Sequence, residues 1–445
     1  MTLDVRTARR RYVTVSALFW LPLGLSIAPL VLLFTERGMA MAAIAGFFAA
    51  HSLTTAALEL PTGGLSDVLG RRVVLAAAGL LNLAALTLLG LADTPVLLGL
   101  GMALMGAARA LSSGPAEAWY VDTVHAHAGP DAELRTGLAR GATATDAALA
   151  AGTLIGGALP WLLGPGPGPD LGARLTETTS GLVVPLSVPL LLGAAIEIAF
   201  VSYALTALPE PPRPPATLRG VLRDVPTTVT AGLRLGGRDA LVRRVLLSAA
   251  AAGSALATIE LLTPGRAADL TGASESGAVL FAVLACAGFV CAAVGAHLAP
   301  LTARLAGSGE RAVVASLGTS ATGLLLLAVT TAFPGPPSLA LALAATGYAL
   351  VYLGLGAAGP NENDLLHRRV TSTGRATALS VQSLSLQLTA ALTGLIVTTL
   401  PPGPLPWLLA CAALVAGALL WGLRGGPVPQ PYAVSAAEER AGARE

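Results

Sequence analysis

Long apolar stretches run through the chain from one end to the other, and they limit its possible folds more than any other feature. A helix needs about 20 mostly apolar residues to cross roughly 30 Å of hydrocarbon. The 445-residue chain offers such stretches repeatedly, and only 12% of its residues are charged, where a soluble domain has about a quarter. A soluble fold could not bury this much apolar surface, so the sequence predicts an all-α membrane protein with the lipid bilayer as its solvent.

Charged residues, prolines and glycines divide the apolar sequence into twelve predicted spans. The first six lie near residues 12–34, 40–62, 73–92, 95–121, 136–163 and 182–208. The last six lie near residues 241–263, 277–300, 311–333, 338–360, 375–400 and 404–423. The predicted fold is therefore twelve transmembrane helices in two pseudo-symmetric six-helix bundles.

A polar connection rich in proline and arginine separates the two sets of spans. The predicted units are an N-terminal six-helix half at 1–208, a cytoplasmic linker at 209–239, a C-terminal six-helix half at 240–424 and a cytoplasmic tail at 425–445. Two faint repeats support a duplication of the half. The segment 60–74 is echoed at 299–313, and residues 114–117, Gly-Pro-Ala-Glu, are echoed as Gly-Pro-Asn-Glu at 359–362 with nearly the same offset.

The arginine count predicts the orientation, because cytoplasmic loops keep an excess of basic residues. All 27 basic residues are arginine, and 23 of them fall in cytoplasmic segments if the N-terminus lies inside. The predicted external loops hold only Arg37, Arg174 and Arg266, while Arg109 lies within the fourth span. We therefore expect a multi-pass protein of the cell membrane with both termini in the cytoplasm.

The absence of lysine excludes two kinds of chemistry. A Walker phosphate loop needs its lysine, and Schiff-base catalysis needs an amine. The five histidines and three cysteines form no spacing typical of a metal site. We therefore expect no enzyme activity, no cofactor, no metal and no nucleic-acid partner, and a monomer that draws its energy from an ion gradient.

The sharpest motif of the chain occupies residues 63–75, at the end of the second span. Its key residues are Gly63, Asp67, Gly70, Arg71 and Arg72. The glycines permit a tight turn close to the membrane. The segment resembles the loop signature of the major facilitator superfamily, with Val68 in a position where that family usually has arginine.

This resemblance implies a particular cluster of charges. In the family, the acid and the arginine of the loop are thought to latch the two halves together with an acid at the cytoplasmic end of the fourth span. Asp122 holds that position here, so the resemblance implies a cluster of Asp67, Arg71 and Asp122. Solvated loop charges are the alternative.

Two further stretches bear on the subfamily. The segment that begins at Arg375 is similar to the start of the eleventh span in drug-exporter-like members. Gly152, Gly156 and Gly157 meet the antiporter signature of the fifth span only in part. These glycines could equally serve close helix packing.

Ionised side chains inside the spans are candidates for the transport path, since each costs about 2.5–3.5 kcal/mol at the bilayer centre unless it faces a partner or a cavity. The candidates are Arg109, Asp146, Glu197 and Glu260. We expect Arg109 to pair with Asp146 or Glu197, which leaves another carboxylate free for a proton or a cationic substrate. A purely structural ion pair is the alternative. Glu260 could also pair with Arg266.

Gating and stacking roles fall to a second group of residues. Glu117 and Glu362 follow the matching Gly-Pro pairs, and because proline tends to kink a helix, we expect each glutamate to contribute to a gate. Trp20, Tyr348 and Tyr352 are expected to line the cavity and stack on an aromatic or cationic substrate, with simple packing as the alternative.

Together these features predict a secondary active transporter that exports small drug-like or amphipathic compounds in exchange for protons. Its partners would be the lipid bilayer, the small-molecule substrate and the proton. Three alternatives stay open: proton-coupled uptake of a nutrient or metabolite, a membrane sensor that does not transport, and the membrane subunit of an ATP-driven importer.

Overall fold

Fifteen α-helices and one short 3₁₀ turn make up the part of the chain that the computed structural model describes. That part comprises residues 4–210 and 239–422, without 130, 165, 167, 334–335 and 370–371, together with residues 230, 234 and 237. For the helical residues 60, 61, 63, 64, 67, 337, 367–369 and 372–377, the description covers the backbone only. Within these limits the fold contains no strand, as the sequence predicts.

The helices before the connection are α1 Val5–Ile27, α2 Leu30–Glu36, α3 Met41–Leu69, α4 Arg71–Leu91, α5 Pro95–Ser112, α6 Pro115–Ala128, α7 Arg135–Leu163, α8 Leu171–Thr178 and α9 Val188–Ala207. The helices after it are α10 Ala240–Thr271, α11 Ser274–Ala306, α12 Gly309–Ala332, α13 Pro337–Arg369, α14 Ser372–Val397 and α15 Leu405–Gly422.

Twelve membrane spans follow from the length and composition of these helices. Eleven spans in the described residues are long and apolar enough to cross a bilayer, with α5 and α6 together forming one of them. The twelfth is the pair α1 and α2, which is bent by 42°. This confirms the predicted all-α fold with twelve spans.

The spans alternate in direction, so the bundle has two ends. The Arg71 end carries the turn between α3 and α4, and the Arg37 end carries the segment that follows α2. At the Arg71 end, the Thr7 amide donates to the Asp4 side chain at 2.5 Å and so caps α1. This hydrogen bond lowers the pKa of the exposed Asp4 carboxyl.

The glycines of α7 let it pack backbone to backbone against two neighbours. A methyl group on Gly152 would lie 2.9 Å from the Cα atom of Gly24 in α1, and Gly156 meets Leu25 in the same seam. Gly157 instead faces Ala278 of α11, which lies in the second set of spans. The incomplete antiporter signature therefore has a packing role in this structure.

Arg37 and Arg266 each cap the C-terminal end of a neighbouring helix. The Arg37 guanidinium donates to the carbonyl groups of Gly90, at 2.5 Å, and of Ala92 at the end of α4. Arg266 donates to the Thr330 carbonyl at 2.9 Å, near the end of α12. Since a cation at a helix C-terminus satisfies unpaired carbonyl groups, both residues stabilise the Arg37 end of the bundle.

Two local expectations are wrong in detail. The signature segment does not turn at Gly63, because α3 continues as helix to Leu69 and the turn is confined to Gly70, whose φ is +100°. The two Gly-Pro pairs also differ. The fourth span breaks at Gly114, with a φ of +94°, whereas α13 runs without a break through Pro360.

The glycine seam between α1 and α7 can be tested by thermal unfolding in detergent. We expect Gly152→Ala to lower the melting temperature, because the new methyl group would overlap the backbone of α1. The matched control is Gly318→Ala in α12, where no atom lies within 4 Å of the added methyl group. That control should be neutral or stabilising by up to about 1 kcal/mol, since alanine favours helix over glycine. Equal effects of the two substitutions would contradict the close packing of α1 and α7 at Gly152.

Candidate functional site: a central cavity between the two sets of spans

A cavity of about 330 Å³ lies at the centre of the bundle, and both sets of spans line it. The first set contributes residues from α1, α2, α3 and α5, and the second set contributes residues from α10, α11, α13 and α14. A cavity shared in this way changes shape whenever the two sets move relative to each other. We call it the central cavity.

Glu260 is the only acidic residue that lines the central cavity in the described part of the chain. It projects from α10 and is accessible from the cavity although it lies deep within the bundle. Glu260 shares the lining of the cavity with Tyr348 and Tyr352. The predicted pair with Arg266 is wrong, because Arg266 is the residue that caps α12 at Thr330.

Tyr348 and Tyr352 form a stacked pair on α13. Their ring centroids lie 4.9 Å apart with an interplanar angle of 27°, and their hydroxyl oxygens are 3.4 Å apart. Both rings line the central cavity, as expected. They pack against α11 at Gly288, where an added methyl group would lie 2.6 Å from the Tyr348 ring. Gly288 thus positions the tyrosines, a role that the sequence alone does not reveal.

The rest of the lining is mainly apolar and aromatic. Phe48, Phe281 and Phe289 add three rings to the two tyrosines. Polar side chains are few, and apart from Glu260 and the tyrosines they are Ser26, His51, Ser52 and Gln387. The cavity therefore suits a small apolar or aromatic molecule with one cationic group.

The two sets of spans meet through different chemistry on the two sides of the central cavity. Towards the Arg37 end, Leu30 and Val31 of α2 belong to one hydrophobic cluster with Leu261 and Ala278 from the second set of spans. Towards the Arg71 end, the Ser383 hydroxyl of α14 donates to Glu59 of α3 at 2.7 Å. One contact is apolar, and the other is a hydrogen bond between the two sets of spans.

Arg109 lies in this polar layer, next to the central cavity and not among its lining residues. Its guanidinium carbon sits 4.8 Å from the centroid of the Trp20 ring, and the Glu59 carboxylate acts on its charge. The predicted ion pair with Asp146 or Glu197 is not formed, because neither acid lies within 4.0 Å of Arg109. Trp20 therefore stacks on an arginine of the protein in the described structure.

Glu197 is fully buried between α4 and α9, away from the central cavity. Its Oε1 atom accepts a hydrogen bond of 2.5 Å from the side-chain amide of Asn82. Its Oε2 atom and the Asn82 Oδ1 atom are buried without a partner in the described residues. A protonated carboxyl group would supply the hydrogen-bond donor that these two acceptor oxygens lack. We propose a structural role for Glu197.

Asp146 and the two glutamates of the Gly-Pro repeats also lie outside the central cavity. Asp146 is exposed on α7, one turn from Ala150, whose carbonyl meets the Cys286 thiol of α11 at 3.4 Å. Glu117 is exposed in the first turn of α6, after the break in the fourth span. Glu362 is 5% exposed and lines a separate cavity in the second set of spans.

The signature segment forms an ion pair at the Arg71 end. Arg71 bonds Asp122 of α6 at 2.8 Å, which agrees with the expected pairing of these two residues. The side chains of Asp67 and Arg375 lie outside the described residues, so their predicted contacts stay predictions. Glu210, which the sequence does not single out, accepts a bond of 2.9 Å from the Arg72 amide in the first turn of α4. It fixes the start of the connection to the signature segment.

A central cavity between two sets of six spans is the arrangement of a membrane transporter, and the family comparison agrees. The sequence profile of the Major Facilitator Superfamily matches residues 13–394, so the chain belongs to that family. This membership indicates a transporter rather than an enzyme. No curated protein sequence matches the chain.

Solved structures share the fold at low sequence identity. A variant of the nucleoside transporter NupG superposes with a TM-score of 0.70 at 12% identity, over 93% of this chain and 99% of that one. A D-xylose–proton symporter gives a TM-score of 0.68 at 13% identity, over 95% of this chain and 98% of that one. An auto-inhibited peptide transporter of the POT family gives 0.65 at 13% identity, with the same coverage of both chains.

The proposed structural role of Glu197 predicts a stability effect. Glu197→Leu removes the acceptor and leaves the buried Asn82 amide unpaired, which should cost about 1–3 kcal/mol. Glu197→Gln keeps an acceptor oxygen and is the matched control. Thermal unfolding in detergent should show a clear loss for the leucine variant and little change for glutamine. A leucine variant that melts like the wild type would exclude this role.

Proposed function

We propose that the chain is a secondary active transporter that exports small amphipathic cations through the central cavity, in exchange for protons. The observation that carries this proposal is a single carboxylate, Glu260, in a cavity that is otherwise mainly apolar and aromatic. Glu260 would hold the cationic group. The stacked Tyr348 and Tyr352 would hold the aromatic or apolar body of the substrate.

The chemistry of the cavity favours a cation over other solutes. A carboxylate in a water-poor site is stabilised by an opposite charge or by a proton, and aromatic faces attract organic cations. A sugar or a nucleoside needs several hydrogen-bonding side chains, and the cavity offers few. Proton-coupled uptake of such polar solutes, the activity named for the D-xylose–proton symporter, therefore fits this cavity less well.

Coupling follows if Glu260 cannot hold a proton and a cation together. A proton taken up from one side would neutralise the carboxylate and release the substrate there. Release of the proton on the other side would restore the charge. The lack of lysine supports an ion gradient as the energy source, because the chain cannot form a Walker phosphate loop. The direction of export rests on the similarity of the segment at Arg375 to drug exporters.

Alternating access would break and remake the two contacts described above. Opening towards the Arg71 end would break the bond between Glu59 and Ser383. Opening towards the Arg37 end would separate α2 from Leu261 and Ala278, and the bend of 42° between α1 and α2 gives a place for that movement. We further propose a monomer in the cell membrane, with the Arg71 end in the cytoplasm, two six-helix halves and the Arg71–Asp122 pair as part of the latch.

The test is uptake of radiolabelled tetraphenylphosphonium into liposomes that contain the purified protein and carry a pH gradient. We expect Glu260→Gln to reduce the rate at least about tenfold, because a lost charge-assisted contact is worth about 1.5–3 kcal/mol and each 1.4 kcal/mol is a factor of ten. Dissipating the pH gradient should abolish accumulation by the wild type.

The matched control is Glu197→Gln, the same substitution at a buried carboxylate outside the central cavity. It should transport at close to the wild-type rate. Wild-type transport by Glu260→Gln would remove this residue from the mechanism. Absence of any cation flux, together with proton-coupled movement of a sugar or nucleoside, would favour uptake. Absence of all substrate-dependent flux would favour a sensor.

A further inference from the structure

A second cavity, of about 400 Å³, lies within the second set of spans between α10, α12, α13 and α14. Glu362 is the only ionisable residue that lines it in the described part of the chain. We call this cavity the Glu362 chamber. Because α14 begins at the Arg71 end and Leu379 and Gln382 lie near its start, the chamber lies on that side of the central cavity.

The Glu362 carboxylate is buried and incompletely bonded. The residue is 5% exposed, and its Oε1 atom has no hydrogen-bond partner in the described structure. The Ser248 hydroxyl lines the same cavity. Ser248 is itself fixed, since its oxygen accepts a bond of 2.6 Å from the Trp421 indole. An unpartnered buried carboxylate oxygen that lines a cavity is a ready acceptor for a cation.

The described arginine one turn before Ser248 is engaged elsewhere. Arg244 lies on α10, one turn from Ser248, but it pairs with Glu310 at 3.6 Å and sits 6.0 Å over the Trp421 ring. It is not among the residues that line the chamber. The carboxylate of Glu362 therefore meets the chamber without a neutralising arginine among the described lining residues.

Two leucines separate the Glu362 chamber from the central cavity. Leu256 of α10 and Leu386 of α14 line both cavities. Neither side chain makes hydrogen bonds, so a change of rotamer could connect the two spaces without breaking a polar contact. Ser383, which bonds Glu59 of the first set of spans, also lines the chamber. Breaking that bond would therefore alter both spaces together.

We propose that the Glu362 chamber is a second binding station for the transported cation, between the central cavity and the Arg71 end. Glu362 accepts the cationic group after it passes Leu256 and Leu386. The chamber is as large as the central cavity, so it can hold the same small molecule. The identity of the cation rests on the proposed function, whereas the selectivity of the chamber for positive charge depends on Glu362 alone.

The experiment measures charge selectivity inside each cavity. Cys286, Cys291 and Cys411 are first replaced by alanine, and one new cysteine is added as Gln382→Cys in the chamber or Gly394→Cys in the central cavity. Each thiol is reacted with the cationic reagent 2-(trimethylammonium)ethyl methanethiosulfonate and the anionic reagent 2-sulfonatoethyl methanethiosulfonate. The ratio of the two rates is then compared in proteins with and without Glu362→Gln or Glu260→Gln.

We expect Glu362→Gln to lower the ratio at Gln382→Cys about tenfold, a factor equivalent to about 1.4 kcal/mol, and to change the ratio at Gly394→Cys little. Glu260→Gln should show the opposite pattern. An unchanged ratio at Gln382→Cys, or a thiol there that neither reagent modifies, would overturn the proposal that the Glu362 chamber binds cations. An unchanged ratio at Gly394→Cys with Glu260→Gln would overturn the central cation site and leave the chamber standing. Unaltered thermal unfolding of each variant shows that the comparison is between folded proteins.

Discussion

Every strongly polar side chain within the spans needs a partner or a cavity, because hydrocarbon offers neither hydrogen bonds nor solvation. This constraint sorts the charges of the protein. Glu197 is paired with Asn82, Glu59 with Ser383, and Arg109 lies over Trp20. Glu260 and Glu362 are different, since each has a cavity in front of it. The carboxylates that face open space are those to which we assign a cation.

The sequence predicts the spans and their number well, because span length and apolar composition are properties of the chain alone. It also identifies the Arg71 and Asp122 pair through a motif. It does not predict which face of each helix turns inwards. Arg109 stands out in the sequence as a charge in a span, yet His51, an unremarkable residue of α3, is the one that lines the cavity.

The errors share a physical cause: rotation and close approach depend on neighbouring helices. A Gly-Pro pair breaks the fourth span but leaves α13 continuous, although the two segments have similar sequences. The difference lies in what surrounds them. Asn361, next to Pro360, is anchored to α11 by bonds of 3.3 Å to Ala299 and Thr302, whereas its counterpart Ala116, next to Pro115, has no polar side chain to form such bonds.

The two sets of spans share structural residues but differ in their chemistry. The sequence separation between Gly24 and Gly253 equals that between Arg37 and Arg266. The two glycines both pack against the backbone of a neighbouring helix, and the two arginines both donate to carbonyl groups near a helix end. Such correspondence supports the proposed duplication of a six-helix half. Yet Glu260 and Glu362 both belong to the second set, whereas Glu197 of the first set is buried and hydrogen-bonded to Asn82. Gly253 also lies against the backbone of Leu386, the residue shared by both cavities. The close packing at Gly253 therefore positions Leu386, and with it the wall between the two proposed cation stations, in the second set of spans only.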